Sequence, residues 1–469
     1  MSHWHPQQGE NLSRRQMLQL SSAGFGSLAL SGLLGQQAQA GPLTPRSPHF
    51  VPKAKRVIFL FMHGGPSHMD TFDYRPLLQR DDGKPLPYPK PRVVSGATGN
   101  LLGSPWKFKQ HGQSGAWVSE VFPHLSKCVD DICFLKSMFG SNSRHGGALL
   151  ELHTGSDTFI RPSMGSWITY GLGSENENLP GYITICPSLT HGGVNNWSSA
   201  FLPADYQGTP IGNAGTPSEK AKIQFIRNKR TNTRVQRLEL DLLKQLEERQ
   251  RAIGTADKAL ESRIQSFELA FRMQREVPQI QDIGAETQET RRMYGLDQKV
   301  TSDFGRQCLM ARRFAERGVR FVQVSHSYKW DQHGGLRGGV SNNAKEVDKP
   351  IAGLLTDLKR RGLLKDTLVL WGGEFGRTPV SQGKRDGRDH NPHAMTMWLA
   401  GGGVKSGLSY GSTDDYGYYA AENKMHFHDL HATMLHLLGL EHKKLTYNFA
   451  GRDFRLTDIY GEIVHDIIA

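Results

Sequence analysis

The sequence predicts an α/β protein built on a mostly parallel, doubly wound sheet. Three observations predict it. Short, uninterrupted apolar runs recur along the chain and stop at turn residues, as strands buried on both faces do. Amphipathic stretches of helical period lie between them, several ending at a glycine. The chain has 469 residues, of which 37% are hydrophobic and 22% charged. That is long enough to bury a large core and too rich in core-forming residues for a disordered chain.

In chain order, Ser13-Arg14-Arg15-Gln16-Met17-Leu18 opens a stretch of small and apolar residues that ends at Ala38-Gln39-Ala40, an A-x-A cleavage pattern. Gly24, Gly26, Gly32 and Gly35 interrupt it, so it makes a poor anchor. The paired arginines resemble a twin-arginine export signal. Residues 1–40 therefore read as a leader, with the mature chain beginning near Gly41 and working in the periplasm or outside the cell. No other apolar run is long enough to cross a bilayer, so no stable span remains after cleavage.

Residues 41–55 are Pro-rich and polar, a linker. From 56 to 469 the chain reads as one α/β domain. Its strand runs fall at 57–62, 132–138, 319–325, 367–371 and 394–400, and helices are expected at 301–317, 345–361 and 426–438. Between about 218 and 296 the character changes to Arg, Lys, Glu and Gln with leucines at helical spacing. This segment reads as a hairpin of two long helices inserted into the domain.

The formal charge of +12 raises the question of a nucleic-acid partner, but no recognition motif accompanies it, so that class is a distant third reading and no nucleic-acid partner is expected. The basic residues gather in the helical insertion, where they read as a solvated face, and over 377–388, where they would draw in an anionic ester or a sulfated or phosphorylated glycan. The cysteines are Cys128, Cys133, Cys186 and Cys308, with no C-x-x-C pair. An exported chain permits a short-loop disulfide between Cys128 and Cys133, while the apolar surroundings of Cys133 favour a buried thiol.

In open α/β sheets, ligands bind at the carboxyl ends of the strands. The run ending at Met62 delivers His63, with Asp70 close behind. The run ending at Ser325 leads to Asp331 and His333, and the run ending at Trp371 leads to Glu374 and Arg377. The cluster Arg388-Asp389-His390-Asn391-Pro392-His393 precedes its run, so it reaches the same edge only if that strand is antiparallel or its loop folds over. Imidazoles and carboxylates collected this way suit a divalent metal such as zinc, calcium or manganese. Metal ligands are accordingly expected among His63, Asp70, Asp331, His333, Glu374, His390 and His393. Arg377 or Arg144 would clamp the anionic group. The stretch from Gly140 to Gly147, with Ser141, Ser143 and Arg144, follows a strand run and opens a helix. It reads either as an anion site carrying a nucleophile or as an ordinary N-cap. No Walker A loop, G-x-S-x-G elbow, H-E-x-x-H or dinucleotide fingerprint is present.

These clusters resemble the alkaline phosphatase/sulfatase superfamily, and more closely a bacterial family within it, of unknown function and usually exported by twin-arginine signals. The closer resemblance is carried by H-G-G-P-S-H-x-D-T-F-D at 63–73, W-D-x-H at 330–333, G-G-E-F-G-R-T-P at 372–379 and D-H-N-P at 389–392. It implies an alkaline-phosphatase/sulfatase-like sandwich with the helical hairpin inserted. Sulfatases place paired metal-binding aspartates after their first strand, where this chain has His63 and Gly64. Their nucleophile lies in C/S-x-P-x-R, a motif this chain lacks, which argues against a formylglycine sulfatase. Aligning Thr154-Gly155 with the end of that motif puts His145 at the nucleophile position, with Ser143 and Ser141 just upstream. A later metal pair, Asp-His or Asp-Asn, reads Glu374-Phe375 here. The segment from Asp429 to Gly439 is similar to a structural C-terminal helix of the superfamily. Two functions follow: a metal-dependent hydrolase of a phosphate or sulfate ester, with His145, Ser143, Arg144 and Arg377 at its catalytic centre, or a catalytically lapsed relative that binds an anionic glycan or a protein partner.

Overall fold

The computed structural model describes residues 41, 43–89, 96–228, 230–253, 258–384 and 386–469. The leader expected over 1–40 lies outside the described residues. Twelve strands matter for the site: β1 (Arg56–Met62), β2 (Thr98–Leu101), β3 (Ile132–Phe139), β4 (Tyr182–Ile185), β5 (Thr209–Ile211), β6 (Phe321–His326), β7 (Thr367–Gly372), β8 (Gly376–Gln382), β9 (Arg388–Asn391), β10 (Met395–Ala400), β11 (Ser409–Tyr410) and β12 (Met425–His426). Nine of them form the central sheet in the order β11-β3-β10-β7-β1-β6-β4-β5, with β12 also paired to β3. The pairs around β1 and β6 are parallel, and so is β4 with β5. The chain is thus α/β with a mostly parallel central sheet, as the apolar runs predict.

β10 runs antiparallel to both β7 and β3. A strand of reversed direction puts the residues before it at the carboxyl edge of its parallel neighbours. This brings the cluster at 388–393 to the edge that carries His63 and Glu374. β9 and β8 pair antiparallel, and β2 adds to β8, in a small separate sheet over that edge.

Both faces of the central sheet are covered, which is why its strands read as unbroken apolar runs. Side chains alternate along a strand: Ile58, Leu60 and Met62 of β1 enter one core, and Val57, Phe59 and Phe61 the other. On the first face lie two helices, 302–316 and 336–360. On the second lie α1 (His145–Thr154), α2 (Met164–Leu172) and the helix 427–437. Between these, α3 (Thr233–Ala252) and α4 (Lys258–Gln281) are the two long helices of the segment with helical leucine spacing, followed by α5 (Ser302–Glu316), α6 (Leu336–Arg360) and α7 (Phe427–Leu437). Arg237 of α3 donates to Glu268 of α4 at 2.8 Å, and Met273, Val277 and Ile280 of α4 join the first core. No helix among the described residues is long and apolar enough to cross a membrane.

Residues 43–54, expected as a linker, are laid along the domain. Arg46 donates its backbone N–H to Leu172, His49 to Gly439, and Lys53 and Ala54 to Leu437. All four cysteines are free and buried, which removes the disulfide alternative for Cys128 and Cys133. Burial pushes their thiols up to about 11 and about 12.

Candidate metal centre

The carboxyl ends of β1, β6 and β7 meet here because the backbone lets them approach closely. Gly64 follows β1 with φ 119°, and a Cβ there would lie 2.8 Å from the backbone nitrogens of Trp330 and Asp331. Only glycine accommodates both conditions. Its N–H donates to both carboxylate oxygens of Glu374, at 3.0 and 3.1 Å. On the loop after β6, the Trp330 indole donates to His326 Nδ1 at 2.9 Å, and this fully buried ring fixes where the next residue, Asp331, sits. The β8–β9 hairpin returns His390, and the start of α1 supplies His145.

Three donor atoms converge at the centre. Asp331 Oδ1 lies 3.0 Å from His333 Nε2 and 3.2 Å from His390 Nε2, and the two Nε2 atoms are 3.0 Å apart. The other nitrogen of each ring faces a carbonyl-type acceptor: His333 Nδ1 the Gln382 side-chain oxygen, and His390 Nδ1 the Ser143 backbone carbonyl, both at 2.7 Å. An Nδ1–H donated to a carbonyl leaves Nε2 as a lone pair in the neutral ring. Two lone pairs and a carboxylate oxygen then point at one spot, an arrangement that only a cation or a shared proton stabilises. Metal-ligating histidines are oriented in this way. Asp389 extends the set, since ligand atoms of His333, Asp389 and His390 lie within 4.8 Å of one another, as do those of His145, Asp331 and His390. Asp389 Oδ2 is buried without a partner.

Beside this centre, His145 Nδ1 is 2.7 Å from Glu374 Oε1, and its Nε2 is 3.4 Å from Asp331 Oδ2. Burial opposes a charge on His145, but hydrogen bonds to the two carboxylates prevail and raise its pKa to about 9. Burial would raise Glu374, and His145 with His63 instead hold it near 2. Asp331 is likewise held well below the usual carboxylate range, against burial, by His145, His333, His390 and Arg377. Burial lowers His63 to about 4, and both its ring nitrogens are unpartnered. An orphaned buried imidazole beside a buried carboxylate fits a metal donor set better than it fits a core. Phe375 completes the wall, stacked on His390 with centroids 4.3 Å apart.

The structure thus brings together His63, His145, Asp331, His333, Glu374 and His390. It places other expected residues elsewhere. Asp70 is fully buried in a two-point ion pair with Arg388, at 2.7 and 3.1 Å, and also accepts from Ser67. His393 is exposed and lies against Tyr419. Arg377 is only 1% exposed, and all three of its nitrogens donate to protein oxygens: Gly65, Gly64, Trp330 and Arg388 carbonyls and Asp331 Oδ1. It shapes the site and has no donor turned toward a ligand, whereas Arg144, the other expected clamp, is exposed. The attraction expected from the 377–388 stretch weakens for the same reason, because Arg377 and Arg388 are neutralised inside the protein. Ser143 contributes its carbonyl, and the Ser141 hydroxyl lies 3.1 Å from His426 Nε2. Two rings missed in the sequence, His191 and Tyr328, border the cluster: His191 is centred 4.9 Å from His145, and Tyr328 4.9 Å from His63. Neither sits in an apolar run or a histidine-rich motif, so only their positions after strands could have marked them.

A family model described as "Protein of unknown function (DUF1501)" matches residues 54–468. No curated protein sequence matches the chain. Among solved structures, it is similar to the lipoteichoic acid synthase LtaP from Listeria monocytogenes, at 9% identity and a TM-score of 0.35, over 88% of this chain and 78% of that one. It is similar to the PsFucS1 sulfatase from Pseudoalteromonas sp., at 15% and 0.34, over 88% and 71%. It is also similar to the alkaline phosphatase from the Antarctic bacterium TAB5, at 10% and 0.33, over 84% and 99%. These likenesses carry no activity over to this chain.

Proposed function

The chain belongs to the DUF1501 family, and from that premise we propose that it is an exported, metal-dependent hydrolase of a phosphate or sulfate ester, working in the periplasm or outside the cell. The observation that carries this reading is the convergence of His333 Nε2, His390 Nε2 and Asp331 Oδ1 within 3.2 Å. These residues would hold the ion, with His63 and Glu374 as donors toward a second. Imidazole-rich sets suit zinc or manganese better than calcium, which takes oxygen ligands. A bound divalent ion would polarise the ester and offset the charge that develops on it.

The protein's own groups supply the rest. His145 keeps a proton between Glu374 and Asp331, with its Nε2 3.4 Å from Asp331 Oδ2. From there it can hand that proton to the departing alcohol oxygen. Arg144, at the N-cap of α1, stands where an anionic group approaching the helix N-terminus would pass. Among the described residues no serine or threonine hydroxyl is within the cluster's hydrogen bonds, so attack by a water is favoured over a serine nucleophile.

That missing nucleophile, together with the inward-turned Arg377, favours a second reading, a lapsed enzyme that retains the anion site. Metal analysis of the purified chain and turnover of 4-nitrophenyl phosphate and 4-nitrophenyl sulfate decide between them. The hydrolase reading expects bound zinc or manganese and turnover of one ester, with loss of both in His333→Ala. Metal without turnover of either ester points to the lapsed relative. Absence of stoichiometric metal, with His333→Ala unchanged in stability and ligand binding, rejects the hydrolase.

A further inference from the structure

The hairpin of α3 and α4 carries apolar surface that the domain does not use. Of its two helices only α4 enters the core, and α3 places no residue there. Within the hairpin, Leu240 of α3 is buried, Gln274 of α4 donates to the Gln236 side chain at 3.1 Å, and Arg237 and Arg251 bridge to Glu268 and Glu261. On the far side of α3 from Leu240 lie Val235, Leu238, Leu242 and Leu246, with Ile253 just past the helix end, all between 40% and 75% exposed. At 3.6 residues per turn these five fall within about 80° of arc, one stripe about 27 Å long. Single exposed leucines are ordinary, but a continuous stripe marks an interaction surface.

The stripe is complementary to itself. Its positions are 235, 238, 242, 246, 249 and 253, a spacing that reads nearly the same in either direction about residue 244. The one polar member is Arg249, and Glu239 flanks the stripe beside Leu238. Both are exposed and neither forms an ion pair among the described residues, whereas Arg237, Asp241, Glu247 and Arg251 are all paired within the hairpin. A second α3 laid antiparallel across the first would set Val235 against Ile253 of the second copy, and Leu242 against its Leu246. Leu238 would lie under the aliphatic stem of Arg249 of the second copy, whose guanidinium would then reach Glu239. A two-fold axis repeats every one of these contacts, as an isologous interface requires. The mean step of about 3.6 residues suits two straight helices rather than a supercoil. The flank also argues against an anionic membrane surface, which Glu239 and Asp241 would meet with like charge.

We propose that the helical hairpin is a dimerisation arm: two copies of this chain pair through antiparallel α3 helices, with Leu242 and Leu246 at the centre and Glu239 against Arg249 on either side. The proposal is independent of the hydrolase reading, because it uses no residue of the imidazole cluster. It gives α3 a reason for apolar positions that the core does not supply.

The test is sedimentation velocity of the purified full chain over a concentration series, beside Leu242→Glu, Glu239→Arg, Arg249→Glu and the double variant Glu239→Arg with Arg249→Glu. The substituted side chains are all exposed, so each variant should keep the wild-type circular dichroism. Wild type should dimerise reversibly. Leu242→Glu should raise the dimer dissociation constant at least about thirtyfold, because it buries a carboxylate from each copy without a partner. Each single charge reversal should raise it about tenfold, and the double variant should return to within about threefold of wild type, because reversing both charges restores the pairs. A wild-type chain that stays monomeric at every concentration overturns the proposal, and so does a dimer that survives Leu242→Glu. A double variant as weak as the single reversals overturns the antiparallel pairing. Wild-type monomer that binds phosphatidylglycerol vesicles through Leu242 also overturns it, and assigns the stripe to a membrane surface.

Discussion

Gln382 touches no ligand in any reading, yet it decides what His333 can do. Its side-chain oxygen takes the Nδ1 hydrogen of His333 and so presents Nε2 as a lone pair. Gln382→Leu should leave the fold intact and weaken zinc or manganese binding roughly 10–100-fold, measured by competition with a chelating dye. Asp70 is the opposite case. It touches no member of the imidazole cluster but is fully buried against Arg388. Asp70→Asn should lower stability by about 3–5 kcal/mol in denaturant unfolding, because it strands a buried guanidinium, with the metal donors still in place. The sequence treats the two alike, since His63 and Asp70 share one motif and only the folded geometry separates donor from strut. Likewise Arg377 reads as an anion clamp until its donors are seen to face inward. His63, Asp331, His333 and Glu374 were legible because each follows an apolar run, and His390 because it precedes one, whereas His191 and Tyr328 depend on the path of loops that no periodicity encodes.

Among the elements, the strands that read as unbroken apolar runs were legible, and the short β4 and β5 were not. Four and three residues, Tyr182–Ile185 and Thr209–Ile211, give too little pattern to separate a strand from a loop. Helix α6 begins at Leu336, well before the stretch expected to be helical, because Gly338 and Gly339 weaken the helical signal. The direction of β10 was stated only as a condition, and the condition was met. The junction of β1 with the loop after β6 hangs on Gly64. Gly64→Ala should cost at least about 2 kcal/mol in chemical denaturation, because the methyl meets two backbone nitrogens and the φ is positive. A variant that unfolds like wild type would show that the two loops can separate freely.

Across the whole molecule, burial keeps several imidazoles neutral. It lowers His153 to about 4 and His431 to about 3, the latter with His428 adding. A histidine whose folded pKa lies below its unfolded value binds more protons when unfolded. Its contribution is therefore present above about pH 6.5 and is lost as the pH falls toward the folded values. Stability should decline from pH 6.5 to pH 4, and His431→Gln should flatten that slope by about one proton in pH-dependent unfolding. His431 lies in α7 with its Nε2 on the Leu152 carbonyl and touches none of the proposed donors, so the effect should appear equally in metal-free protein. Composition had pointed to a basic surface and an anionic partner, but it could not show that Arg377 and Arg388 are enclosed and paired.

The central place of β1 has a consequence in time. This strand is among the first of the domain to be synthesised, yet its two neighbours end at His326 and Gly372, and His390 arrives later still. At roughly 5–20 residues per second, β1 waits many seconds in the growing chain with both edges open. Such distant pairings fold slowly, and the metal centre cannot close before nearly all of the polypeptide has been made. On the proposed reading, ion capture would be a late event, and nascent chains halted before residue 390 should take up no metal through these donors, however long they are given.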